Sequence, residues 1–335
     1  MISMANEPLK IHCRNCRAKM DVSDLEPYIT FPCPDCGTII RVPERFGRYL
    51  LEKCCGTGGM AKIYRAIDTQ LARRVAVKIT DVQYAEGRNF FETTKMINRI
   101  NHPAITPVYD CGIFDGRPFM VMKYMDSGDL EKRMLAKKLP PVPKLASYLA
   151  FIASGLECMA SKGIAHHDIK PGNIMLDSTD EAKLGDFDLA DFRAYGDVNT
   201  PCQEYASPGY ASPERLYYGG EDQRGDIFSF GATVYELLSG KLPFGIHGTP
   251  EELYRRREKM EFIPLSQAAP GIPEKFSDLI TASLAFRMEF RPNYIELING
   301  LSGLAEHFIR KEINPNWTTR ITRLFRRGKE EEEII

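Results

Sequence analysis

Asp168, Lys170 and Asn173 fall within six residues of one another in the stretch Ala165-His166-His167-Asp168-Ile169-Lys170-Pro171-Gly172-Asn173-Ile174-Met175-Leu176. An Asp, a Lys two residues on and an Asn five residues on supply what phosphoryl transfer needs from a single loop. The carboxylate orients a hydroxyl and takes its proton, the ammonium steadies the moving phosphoryl group, and the Asn holds a magnesium ion. Twelve residues of this kind also arise by chance. The reading depends on whether groups that could hold a nucleotide stand elsewhere in the chain.

Upstream, Cys55-Gly56-Thr57-Gly58-Gly59-Met60-Ala61-Lys62-Ile63-Tyr64 is a glycine-rich turn between two strand-like runs. Glycines let the backbone approach phosphates closely and aim N–H groups at them, although most such turns are ordinary ones. Val75-Ala76-Val77-Lys78 then ends a β-branched run on a lysine. A lysine at a strand end is usually only solvated. Downstream come Lys183-Leu184-Gly185-Asp186-Phe187-Asp188, Ala206-Ser207-Pro208-Gly209-Tyr210-Ala211-Ser212-Pro213-Glu214, Gly225-Asp226-Ile227-Phe228-Ser229-Phe230-Gly231 and Phe290-Arg291-Pro292.

In this order, these segments resemble the motifs of eukaryotic-like Ser/Thr protein kinases of bacterial type, over about residues 48–312. The resemblance implies an α+β, two-lobed protein-kinase-like fold, with an antiparallel β small lobe and a helical large lobe. It implies Lys78 as the clamp on the ATP phosphates and Asp186, with Asn173, as the magnesium ligands. Asp168, Lys170, Asn173, Lys78, Asp186 and Ser207 are then the catalytic set, Ser207 helping to hold Asp168 and Lys170. Asp226 would pin the backbone of the catalytic loop, and Arg291 would pair with Glu214. The turn residues Cys55, Gly56, Thr57, Gly58, Gly59, Met60 and Ala61 would enclose the phosphates. Met122, Lys123 and Met125 resemble the hinge that meets adenine, and Cys55, Ile63, Ala76 and Met175 would wall the pocket. The implied activity is transfer of the γ-phosphoryl group of ATP to Ser or Thr hydroxyls of protein substrates, the chain itself included.

Three positions depart from the family pattern. The small-lobe helix places Thr93 where a Glu normally pairs with Lys78, and the neighbouring Glu92 points roughly 100° away on an ideal helix. Asp188 replaces the Gly after Asp186-Phe187. His167 replaces the Arg before the catalytic Asp and is largely uncharged at neutral pH if unperturbed. That last change predicts activity independent of phosphate on Thr200, because no cation waits at 167. The first two departures motivate the alternative of a pseudokinase, a nucleotide-binding scaffold that signals through its N-terminal module.

That module carries its own chemistry. Cys13-Arg14-Asn15-Cys16 and Cys33-Pro34-Asp35-Cys36 are two C-x-x-C pairs separated by sixteen residues. The spacing reads as a closed four-thiolate zinc site, and the segment resembles small bacterial zinc ribbons. So short a segment buries too little apolar surface to fold without the metal. In residues 1–45, Lys10, Arg14, Arg17, Lys19, Arg41 and Arg45 balance Glu7, Asp21, Asp24, Glu26, Asp35 and Glu44. That balance argues against a nucleic-acid partner. The link Pro43-Glu44-Arg45-Phe46-Gly47 is short enough to keep the ribbon near the small lobe.

The domain organisation expected is a zinc ribbon over 1–45 and a kinase domain over 46–312. Its small lobe would span 46–124, with five strands in 48–124 and one helix near 88–100, and its large lobe 126–312. A tail over 313–335 would mix basic residues with a Glu run. Net charge of −1 gives no bulk attraction to nucleic acid or membranes. Nine cysteines without an export signal fit a cytoplasmic protein rather than a disulfide framework.

Overall fold

A computed structural model describes residues 8–58, 61–81, 90–192, 207–218 and 221–313. These form two compact units. One runs to Asn101 and includes Thr106–Asp126, and the other holds His102–Ile105 and the described residues from Ser127 onward.

The first unit opens with two short hairpins, β1 (Lys10–His12) with β2 (Lys19–Asp21) and β3 (Thr30–Pro32) with β4 (Ile39–Arg41). Each hairpin turns through one cysteine pair by the same pattern. Cys13 N–H donates to Ala18 O at 2.8 Å and Arg17 N–H to Cys13 O at 2.9 Å; Cys33 and Gly37 repeat this with Thr38 and Cys33. The turn needs a left-handed residue, which is Gly37 at φ +72° in one hairpin and Arg17 at φ +63° in the other. Only the glycine adopts it without a Cβ penalty. The buried apolar cluster of the hairpins is Ile11, Val22 and Val42, with Leu9, Met20, Phe31 and Ile40 only partly buried against it. That is too little to stabilise the hairpins alone.

A six-stranded antiparallel sheet follows: β5 (Glu44–Phe46), β6 (Tyr49–Thr57), β7 (Ala61–Asp68), β8 (Arg73–Thr80), β9 (Val108–Phe114) and β10 (Arg117–Lys123), in the order β5-β6-β7-β8-β10-β9. Five of these strands lie in 48–124. The sixth is the expected link, which folds back on β6 with Glu44 opposite Leu51, through a turn at Gly47 (φ +58°). Alternation sends Tyr49, Leu51, Ala66, Val75, Val77, Ile79 and Val121 to one face, where they form the core with Phe46. A helix, α1 (Phe90–Asn98), lies between β8 and β9 in the chain. The hairpins rest on this sheet: Arg14 pairs with Glu52, Tyr28 stacks on Tyr64 at 6.4 Å, and the Tyr28 hydroxyl donates to Glu44 at 2.7 Å.

The second unit is helical. Helix α2 (Leu130–Leu135) is capped by the Asp129 carboxylate, and α3 (Val142–Ala160) buries Leu145, Leu149, Ile152, Leu156 and Met159 at helical spacing. After α4 (Pro213–Tyr218), α5 (Gln223–Ser239) is buried around nearly its whole circumference, its polar residues Asp226, Ser229 and Thr233 included. It starts at an Asp222 cap and ends at Gly240 in the left-handed conformation. Helices α6 (Pro250–Glu258), α7 (Leu265–Ala268), α8 (Glu274–Ser283) and α9 (Tyr294–Ile313) complete the unit, with α9 packed along α3. Two small pairs, β11 (Ile164–Ala165) with β14 (Asp191–Phe192) and β12 (Ile174–Leu176) with β13 (Ala182–Leu184), frame the loop that carries Asp168. Among the described residues no helix is long and apolar enough to cross a membrane.

Candidate active site

The loop between β11 and β12 is held from below by α5. Asp226 accepts the backbone N–H of His166 at 2.6 Å and of His167 at 2.8 Å. Burial pushes its carboxyl up to about 6 despite those two donors. The bend places His167 at φ +65°, a conformation that costs a non-glycine residue energy and is kept only when its surroundings enforce it.

Above this anchor, four side chains close into a ring. Lys170 Nζ donates to Asp168 Oδ2 at 2.8 Å and to Ser207 Oγ at 2.9 Å, and Ser207 Oγ donates to Asp168 Oδ1 at 3.1 Å. Asn173 Nδ2 donates to the Asp168 carbonyl at 2.6 Å and to Asp168 Oδ2 at 2.9 Å. Because a carbonyl accepts only from a donor, this fixes the amide orientation and turns Asn173 Oδ1 away from Asp168, where it could ligate a cation. Gly185 N–H donates to Asn173 O at 3.0 Å, so Asp186 follows directly on a residue bonded to Asn173. An amide oxygen and a carboxylate on adjoining segments are the hard oxygen donors that magnesium takes.

His166 ties these segments together. Its Nε2 lies 3.1 Å from Gly185 O, its Nδ1 accepts the Asp168 N–H at 3.3 Å, and its ring packs 5.0 Å from that of Phe187. Burial lowers its pKa to about 4, which leaves the neutral tautomer with the proton on Nε2, as the two hydrogen bonds require. Asp186 takes φ +61°, whereas Asp188 is not among the described residues with positive φ. Asp188 therefore occupies the glycine position without left-handed strain.

Sequence reasoning missed the group beneath His167. Glu221, wholly buried, has Oε1 3.0 Å from His167 Nδ1 and 2.8 Å from Arg215 Nη1, and Oε2 accepts from Ser212 Oγ at 2.5 Å. Arg215 Nη1 also donates to the His167 carbonyl. Burial alone would raise the Glu221 carboxyl; the His167 hydrogen bond and the Arg215 charge overcome it and hold the group down to about 2. Position 167 itself carries no Arg, but a cation stands beside it: Arg215, engaged by Glu221. Thr200 lies outside the described residues, as do the side chains of Glu92 and Thr93. Further on, Glu214 and Arg291 form a buried fork, with Nη1–Oε1 at 2.6 Å and Nη2–Oε2 at 2.8 Å.

In the first unit, Lys78 is buried on β8, opposite Ile63 of β7 and Met120 of β10. Ala76 is opposite Met122, so Ile63, Ala76, Lys78 and Met122 share one face of the sheet. Cys55, Gly56 and Thr57 end β6, and Gly58 N–H donates to Ala61 O at 3.0 Å to close the turn. Gly59 and Met60 lie outside the described residues. Lys123 ends β10 and Met125 follows it. Met175 lies on β12 of the second unit.

The four hairpin thiols converge. Cys13 and Cys36 sulfurs are 3.6 Å apart, as are those of Cys16 and Cys33, and all four lie within 4.8 Å of one another. These are not disulfides, whose sulfurs would bond at about 2.05 Å. A tetrahedral ion with Zn–S bonds of about 2.3 Å sets its sulfurs about 3.8 Å apart, so the four fit one zinc. The Thr38 hydroxyl pulls Cys36 down to about 6. Cys16 has a backbone hydrogen bond at Ala18 that lowers it, yet desolvation and its three neighbouring thiols push it up to about 12. To be thiolates together, four sulfurs so close would need a cation among them.

Over residues 49–322 the sequence matches the protein kinase domain family, and the chain belongs to that family. It is 30% identical over 243 residues to the serine/threonine-protein kinase PknL of Mycobacterium tuberculosis, covering 71% of this chain and 60% of that protein. It is 32% identical over 260 residues to the serine/threonine-protein kinase PknB of Mycobacterium leprae, covering 74% and 41%. To the DNA damage-responsive serine/threonine-protein kinase RqkA of Deinococcus radiodurans it is 30% identical over 290 residues, covering 84% and 42%. The chain thus spans less than two thirds of the length of these relatives.

Proposed function

We propose that the protein is a serine/threonine kinase that moves the γ-phosphoryl group of ATP to Ser or Thr hydroxyls on proteins, its own chain included. The observation that carries this reading is the ring of Asp168, Lys170, Asn173 and Ser207. Asp168 Oδ1 and Oδ2 are the base and positioning oxygens for the acceptor hydroxyl. Lys170, anchored on Asp168 and Ser207, presents its charge where the transferring group passes. Asn173 and Asp186 would hold magnesium, which neutralises phosphate charge when bound. Lys78, the 56–61 turn and the Ile63–Ala76–Met122 face would hold the nucleotide. Nothing among the described residues or the relatives favours the scaffold alternative.

Cys13, Cys16, Cys33 and Cys36 would hold one structural zinc, with all four positions filled by protein and none left for catalysis. Since the ligands must be reduced, a cytoplasmic setting suits the site. The division at 1–45, 46–312 and 313–335 remains part of this proposal; residues 314–335 of the tail lie outside the described residues.

The test is incubation of the purified protein with γ-labelled ATP and magnesium, beside Asp168→Asn. Label should pass to the protein and to a generic basic protein only in the parent. Label absent from the parent, or equal in the variant, overturns the assignment.

A further inference from the structure

The balanced charge of the N-terminal module is not balanced in space. Between its hairpins and the sheet lies a cleft of about 510 Å³. Six permanent cations line it: Lys10, Arg14 and Arg41 from the module, and Lys53, Arg65 and Arg74 from the sheet. Glu52 is the one carboxylate among the lining residues, and it already pairs with both Arg14 and Arg65. None of the module's own acidic residues lines the cleft.

Strand register explains the convergence. Leu50 is opposite Ile67, and Ile67 is opposite Arg74, so these three form a row across β6, β7 and β8. One row along, Arg65 of β7 is opposite Lys53. Alternation sends Tyr49, Leu51 and Ala66 into the core and leaves this row on the other face. Lys10 on β1, with Ile39 and Arg41 on β4, closes the opposite wall. Ile39 is 67% exposed at this wall. Cations so concentrated repel one another at separations below a Debye length. An anion seated among them removes that repulsion, while Ile39, Leu50 and Ile67 give an apolar body something to lie against.

We infer that this cleft between the cysteine hairpins and the sheet is a binding site for a small organic phosphate of nucleotide size. The volume falls within the roughly 300–1,000 Å³ of small-ligand sites. The cations converge on one concavity rather than running as a stripe, which is the arrangement for a compact polyanion and not for an extended nucleic-acid track. The cleft lies on the same sheet face as Ile63, Ala76 and Lys78, yet none of the residues assigned to ATP lines it. The inference is independent of phosphotransfer activity, because it is read by binding.

The full chain is first saturated with adenosine, which can fill an adenine pocket but offers no phosphate to the cleft, then titrated calorimetrically with guanosine diphosphate. One further binding event per chain is expected, weakening steeply as salt rises. The exposed double substitution Lys53→Glu with Arg74→Glu should weaken it at least tenfold, with the thermal melting profile unchanged to show that the fold persists. Arg17→Glu, on the same module but outside the cleft, should bind as the parent does. Absence of the second event, its loss in the presence of adenosine, or equal affinity in the double variant overturns the inference. So does tighter binding of a twelve-nucleotide single strand that displaces guanosine diphosphate, which would make the cleft a nucleic-acid contact.

Discussion

His167 Nδ1 stands 3.0 Å from Glu221 Oε1, with both side chains closed off from solvent. The carboxylate joins the catalytic loop, through His167, to the start of α4, through Ser212 and Arg215. Every strong partner of Glu221 favours its ionised form, so its loss leaves buried donors without an acceptor.

Glu221→Gln should therefore destabilise the fold in a pH-dependent way. A carboxyl lowered from 4.5 to about 2 adds stability that is complete above 4.5 and is lost as pH falls toward 2. At about 1.4 kcal/mol per pKa unit, the contribution at neutral pH is on the order of 3 kcal/mol. Asp226 acts in the opposite sense: raised from 3.8 to about 6, it takes up a proton in the folded state first, so its contribution falls as pH rises through that window. Denaturation of parent and variant from pH 2 to 8 should show a gap that closes below about pH 3, while the slope between pH 4 and 6 becomes shallower in the variant. Burial raises Asp226 in both, but the Glu221 charge adds to it only in the parent. A constant gap at every pH would mean that the charge of Glu221 is not what matters.

Ser207→Ala should lower kcat about tenfold or more with little change in the KM for ATP. Its hydroxyl is bonded to both Lys170 and Asp168, so removal frees two side chains whose positions count only at the acceptor hydroxyl. Ser207→Thr keeps the hydroxyl and should recover most of the rate. A loss seen mainly in the KM for ATP would move Ser207 to nucleotide binding.

The sequence made the ring legible because its members are fixed by short local spacings within a motif series. Asp168, Lys170 and Asn173 share one loop, and the segment of Ser207 belongs to the same series. Glu221 was not legible. It lies 54 residues from His167, and only the fold brings them together. Counting charges in residues 1–45 does not show where they lie. The count is even, but strand alternation puts Lys10 and Arg41 on the side facing the sheet, and the cations they join belong to β6, β7 and β8. The sixth strand escaped notice because Glu44–Phe46 reads as a linker until Gly47 turns it back onto β6.

Cys33→Ser should release the metal from a protein that otherwise carries about one zinc per chain. With so small a buried cluster around Ile11, Val22 and Val42, the hairpins should then open, seen as faster amide exchange over residues 11–42. Exchange around Asp168 should be unchanged, because that loop is pinned by Asp226. Stoichiometric zinc retained by Cys33→Ser would place the metal on other ligands.

Arg291→Met should cost about 3–5 kcal/mol of stability. Its guanidinium is fully buried and makes a two-pronged contact with Glu214, and it also donates to the carbonyls of Ala285, Phe286 and Arg224. Removing it leaves the Glu214 carboxylate without its counter-charge in a site closed to water, which is the larger part of the cost. Glu214→Gln leaves Arg291 with its three backbone acceptors and should cost less. The double substitution should then be markedly less destabilising than the sum of the two, because the second change removes the charge that the first had stranded. Equilibrium denaturation of the four proteins measures this coupling. Additive losses would show that Glu214 and Arg291 act independently, and that Arg291 stabilises the fold through its backbone acceptors alone.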